Sequence, residues 1–191
     1  MRKIYTKNKT FGITTLIIFA MVMSSAYIEI KDWVVIDAKE YGYRISFPST
    51  PEESVQSVTT AAGPVDMHIH LLDTSQDENA DNMLYLSSHA AYPDTLISSE
   101  KKEQIKEFFT ETIDGLVKSV DGKLLSKSKV NLEGYPGRQA KIDFQNGMAV
   151  ISIRIYLVDS EVYMLQTITK TDKDKNASIE KFMNSFSLLK Q

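Results

Sequence analysis

Apolar residues recur along this chain with two periods, two and three-to-four, and the switches between them mark its elements. Trp33 to Ile36 is a short apolar run that predicts an initial strand. Tyr43, Ile45 and Phe47 alternate with Arg44 and Ser46, the pattern of a strand with one buried face. Pro48 and Pro51 end it, because proline has no N–H to give a sheet ladder. Residues 54–61 predict another strand before a Gly63-Pro64 turn. Met67, Ile69 and Leu71 then alternate with His68 and His70, so the histidines point away from the apolar side. Residues 74–82 are polar turn material, 83–89 return as a strand, and Pro93 closes the region.

The period then changes. Ile105, Phe108, Phe109, Ile113, Leu116, Val117 and Val120 form one stripe of a helix expected over 95–120, with Ser98 or Ser99 as its cap. Gly115 costs such a helix about 1 kcal/mol relative to alanine; close packing against a sheet is the expected reason for it. After Gly122 the period returns to two. A strand is predicted over 123–132, a turn at Tyr135-Pro136-Gly137, and a strand through Ala140, Ile142 and Phe144 to the hairpin signal Asn146-Gly147. Strands 148–158 and 162–169 follow, joined by Asp159-Ser160-Glu161. The first carries Ala149, Ile151, Ile153, Ile155 and Leu157 on one face, and a mixed set including Arg154 and Tyr156 on the other, which suits a partly covered surface. A closing helix presents Ile179, Phe182, Met183 and Phe186. Asn176 reads as its cap, although Asn176-Ala177-Ser178 also spells a glycosylation sequon.

Hairpins dominate and no βαβ alternation occurs. The predicted class is therefore α+β: an antiparallel sheet packed by a long central helix and a short C-terminal helix. Tyr43-Arg44-Ile45-Ser46-Phe47-Pro48 followed by Pro51, the central helix before a strand meander, Gly134-Tyr135-Pro136-Gly137-Arg138 and the closing Phe182 to Leu188 segment together resemble the PsbP-like fold, over roughly residues 33–190. That fold occurs in the extrinsic photosystem II subunit, in a Ran-binding nuclear import factor and in bacterial envelope proteins. The resemblance implies the architecture and docking on partners; it brings no shared catalytic residues.

Charge changes the picture at the start of the chain. Arg2, Lys3, Lys7 and Lys9 precede an uncharged stretch, residues 10–28, whose part from Phe11 to Met23 is mostly apolar. A basic start, a short apolar core and the small residues Ser24 and Ala26 make residues 1–26 a signal peptide or, uncleaved, an N-terminal membrane anchor. Residues 27–191 are then a single α+β domain outside the cytoplasm, periplasmic or extracellular, with membrane contact only through 10–28 if the segment is kept. Without the four cations of the leader, 18 Lys and Arg face 25 Asp and Glu, a net charge of −7. No basic patch is legible against that field, so nucleic acid is not an expected partner.

The absence of cysteine excludes disulfides, thiolate metal sites and cysteine nucleophiles. Isolated glycines give no phosphate-binding loop. If 66–71 pairs with 84–89, then Asp66, His68, His70, Tyr85, Ser87 and His89 share one sheet face. His68, His70 and His89 are then candidate Zn²⁺ ligands; the bland account, preferred here, is a solvated polar face free of metal. Ser87, His89 and Asp66 also contain the residue types of a hydrolase triad, without the sequence of a nucleophile elbow. Asp77, Glu78 and Asp81 depart from a calcium-loop spacing and read as solvated loop. The expected function is an exported, non-catalytic binding or assembly module of the cell envelope, without cofactor, whose partner is another envelope protein or a small ligand. The alternative is a metal-binding protein or metal-dependent enzyme using the three histidines. Converging histidines would favour the second reading and an apolar groove the first.

Overall fold

The structure, a computed structural model, describes residues 32–60 and 63–190. The predicted leader, residues 1–26, lies outside them. Five strands come first: β1 (Val34–Ala38), β2 (Tyr43–Phe47), β3 (Glu52–Thr60), β4 (Gly63–Asp73) and β5 (Leu84–Ala91). Helix α1 (Lys102–Ser119) leads into a meander of β6 (Lys123–Leu132), β7 (Tyr135–Phe144), β8 (Ala149–Val158) and β9 (Glu161–Lys170). Helix α2 (Ala177–Asn184) and a two-residue strand β10 (Ser187–Leu188) close the described chain.

Seven strands form one antiparallel sheet in the order β3-β4-β5-β9-β8-β7-β6, and β1, β2 and β10 form a smaller one. The α+β class and the antiparallel pairing are as the alternation predicts. Each face of the large sheet carries a core. Phe109 and Ile113 of α1 pack with Ile142, Ile153, Ile155 and Leu157 on one face. On the other, Tyr43, Ile45 and Phe47 of β2 and Ile179, Phe182 and Met183 of α2 pack with Tyr85, Tyr156 and Leu165. The mixed face of β8 is thus covered: its Val150, Ser152 and Tyr156 are buried.

Several boundaries differ from the sequence reading, each for a local reason. α1 starts at Lys102 and has no side-chain cap. Ser99 is used instead to tie the preceding loop to the β8–β9 turn, its Oγ accepting from Asp159 N at 3.1 Å. Within the stripe, Phe109 is 1% exposed while its neighbour Phe108 is only half-buried. The helix is not central: it makes its main approach to β7, toward one end of the sheet. The turn after β6 is Glu133-Gly134, both at positive φ, and Tyr135-Pro136-Gly137 already belongs to β7. Gly137 is required by close approach rather than by a turn, since a Cβ there would lie 2.6 Å from Tyr156 Cδ1 and 2.8 Å from the Ile155 carbonyl oxygen. Asn176 caps α2, its Oδ1 accepting from Ile179 N at 3.0 Å.

Candidate functional site

The register of β4 and β5 sets His68 opposite His89 and His70 opposite Ser87. The histidines do share a face, as the alternation predicts. That face is not solvated, because the segment joining β1 to β2 and β2 itself lie over it. Tyr41 stacks on His68 and His89, with ring centroids 4.2 and 5.1 Å apart. His70 is 4% exposed and His89 6%. The cover could not be read from alternation, since Asp66, His68, His70, Ser87 and His89 make this face largely polar and the residues that cover it come from another part of the chain.

His68 and His89 share the Tyr41 ring, while the polar partners of His70 and His89 differ. The Tyr43 hydroxyl lies 2.8 Å from His70 Nδ1 and 3.2 Å from Ser87 Oγ. His70 Nε2 is 3.2 Å from Glu53 Oε1. His89 Nε2 meets the Glu161 carboxylate. Burial holds the His89 imidazole below its ordinary pKa, with Glu161 acting in the opposite sense. Burial also pushes the Tyr43 phenol up to about 12, so it stays protonated as a hydrogen-bonding strut. Among the described residues, no group of three His, Cys, Asp or Glu side chains is placed to share a metal ion.

A cleft of about 630 Å³ opens beside His89, between Lys39, Tyr41, Glu161 and Lys190. It offers an acid–base pair at its wall but no activated nucleophile. The Ser87 hydroxyl is tied to Tyr43, His89 faces Glu161, and Asp66 is exposed, so the triad residue types do not assemble. The acids of the 74–82 loop serve the fold: Asp77 accepts from Asn79 N at 2.9 Å, and Asp81 accepts from Ser178 of α2.

The more suggestive geometry lies on the opposite face of the sheet. α1 sits toward β7, and the β3–β5 end of this face is only partly covered: Val58 is exposed while Val65, Ile69 and Ala90 are buried. A groove of about 410 Å³ runs there, walled by Phe108 and Leu116 of α1 and floored by Val58, Val65, Met67 and Met164. Among the described residues, Glu111 is the one charged residue lining it. Gly115 opens into this groove: a Cβ there would meet nothing within 4 Å. The glycine therefore does not serve close packing, as its sequence position suggested. It lowers one wall of an apolar slot. On the other flank of α1 a second cleft, of about 490 Å³, is lined by lysines and an arginine. Sequence reading missed that patch because Lys102 and Lys106 are far in sequence from Lys127 and Lys129. The legible signals were a lysine pair four apart on the helix and another two apart on a strand.

No family model matches the chain and no curated protein matches it. Among solved structures it is similar to cyanobacterial PsbP from Synechocystis, at 11% identity and a TM-score of 0.47, over 87% of this chain and 98% of that one. It is also similar to a protein of unknown function from Pseudomonas aeruginosa described as a putative regulator, at 11% identity and a TM-score of 0.34, over 74% and 85% of the two chains. The PsbP-like resemblance read from the sequence thus recurs as a weak likeness of structure.

Proposed function

We propose that this chain is an exported, non-catalytic binding module of the cell envelope that takes an apolar ligand into the groove beside α1. The observation that carries the reading is the groove itself. Its lining is mostly apolar, with Ser88, Glu111, Thr112 and Ser119 as polar points, its volume falls in the range of small-ligand sites, and Gly115 keeps it open at the expense of helix stability. Export rests on the basic-then-apolar pattern of residues 1–26. His70 is bound to Tyr43 and His89 to Glu161, which favours no second reading.

The test is a fluorescence titration with N-phenyl-1-naphthylamine, an uncharged apolar dye, on the full chain and on Gly115→Leu. A Cβ at 115 meets nothing within 4 Å, so leucine there directs its side chain into the slot, and a thermal melt of the variant checks that the fold is kept. Both proteins share the apolar leader, so the difference between them reports the groove. Saturable binding that is weakened in the variant supports the reading; equal binding in both defeats it.

A further inference from the structure

The cleft on the other flank of α1 concentrates positive charge in an acidic protein. Lys102 and Lys106 reach it from the helix, Lys127 and Lys129 from the edge strand β6, and Arg138 from β7. Among the described residues, none of the five forms an ion pair with a carboxylate. Among the described residues, no acidic one lines the cleft, while the chain as a whole carries −3.

This arrangement breaks two local rules at once. Lys102 and Lys106 are four apart on a helix, a spacing at which like charges repel. Lys129 stands directly opposite Arg138 across the β6–β7 ladder, where like charges are again unfavourable. Lysines on an edge strand discourage sheet-to-sheet association, which accounts for Lys127 and Lys129. That account does not reach the helix lysines, nor Arg138 on an interior strand. Arg138 is also fixed in place: its guanidinium sits 4.9 Å from the centroid of the buried Phe109 ring, and its Nη1 donates to the Gly137 carbonyl at 2.7 Å. A fixed planar donor set among mobile ammonium groups is the usual equipment for an anion with several oxygens. Rules broken together toward one point mark a site whose compensation is a ligand.

We infer that this cleft, lined by Lys102, Lys106, Lys127, Lys129 and Arg138, binds a compact phosphate-bearing anion. The volume of about 490 Å³ suits a small molecule or a headgroup. A nucleic-acid strand would extend past the cleft into the acidic field of the rest of the surface, and is disfavoured for that reason. The inference is independent of the apolar groove, which lies on the other side of the helix.

The experiment is calorimetric titration of the full chain with sodium tripolyphosphate at low and at physiological salt, beside co-sedimentation with phosphatidylglycerol and with phosphatidylcholine vesicles. Two double variants are compared: Lys127→Gln with Lys129→Gln in the cleft, and Lys170→Gln with Lys175→Gln outside it. All four side chains are exposed, so both proteins keep the fold. Tripolyphosphate binding that falls about tenfold or more in the cleft variant, stays unchanged in the outside variant and weakens with salt supports a free phosphate ligand. Binding only to phosphatidylglycerol vesicles, with the same dependence on the cleft lysines, assigns the site to a lipid headgroup. The inference is overturned by no binding in either arm, by equal losses in the two variants, or by a single-stranded oligonucleotide that binds more tightly than tripolyphosphate.

Discussion

The two flanks of α1 are built from consecutive residues and have opposite chemistry. Phe109 turns toward β7, where it is sealed in the core and supports Arg138. Phe108 turns the other way and forms part of a groove wall above Met164 and Val162 of β9. Five cations surround one depression and one carboxylate lines the other. One helix placed off-centre on a seven-stranded sheet thereby yields two recesses: one where its partner strands carry lysine and arginine, another where they carry valine and methionine. Position rather than fold class gives the two sites their character.

The largest expected effect separates the two phenylalanines. Phe109→Ala should destabilise the protein by about 3–5 kcal/mol, and Phe108→Ala by about 1–2 kcal/mol, because only the first leaves a sealed cavity. Equal losses in denaturant melts would mean that Phe108 is core and the groove is not open. A smaller effect comes from the opposite face of the sheet and should leave both flanks alone. Burial lowers the His89 pKa in the folded state, so below about pH 6.5 the unfolded chain takes up a proton that the native site resists. Stability should therefore be complete above that pH and fall as pH drops, with a slope of at most about 1.4 kcal/mol per pH unit for this group. The groups packed around the ring are Glu161, His68, Tyr41 and Tyr163. His89→Gln should flatten this part of the pH profile; an unchanged profile would remove His89 as its source.

Gly115 gives the next increment. Gly115→Ala should stabilise by about 0.5–1 kcal/mol, since alanine is the better helix residue and its methyl group meets no neighbour. Destabilisation would mean that the groove wall is tighter than its geometry shows. Added Zn²⁺ at neutral pH is expected to leave the melting temperature of the wild type unchanged. A rise that disappears in a His68→Ala, His70→Ala double variant would restore the metal reading.

Much of this architecture was legible because strand alternation is strict where one register is enforced. That His68 and His70 share a face opposite Met67, Ile69 and Leu71 follows from alternation alone; that the strand carrying His89 pairs beside them was a supposition that the β4–β5 register bears out. What covers that face was not legible, because it depends on Tyr41, Tyr43 and Phe182 arriving from distant parts of the chain. Pro136-Gly137 resembled a turn because both residues are common in turns; the glycine answers to the Tyr156 ring instead. Gly115 was visible as a defect in the stripe, but the sequence could not say whether the missing side chain made room for a strand or for a ligand. The basic cleft was diluted by an acidic average, and only the fold brings residues 102–106 beside 127–138.

On the reading proposed above, the flanks of α1 are separate binding sites and the apolar one carries the module's function. The measurement that tests it most directly crosses two ligands with two variants: N-phenyl-1-naphthylamine and tripolyphosphate, each titrated into Gly115→Leu and into the Lys127→Gln, Lys129→Gln double variant. Gly115→Leu should weaken the dye about tenfold or more, roughly 1.4 kcal/mol, and leave tripolyphosphate unchanged, while the lysine variant should do the reverse. Dye binding that survives Gly115→Leu, or that falls equally in both variants, would contradict it.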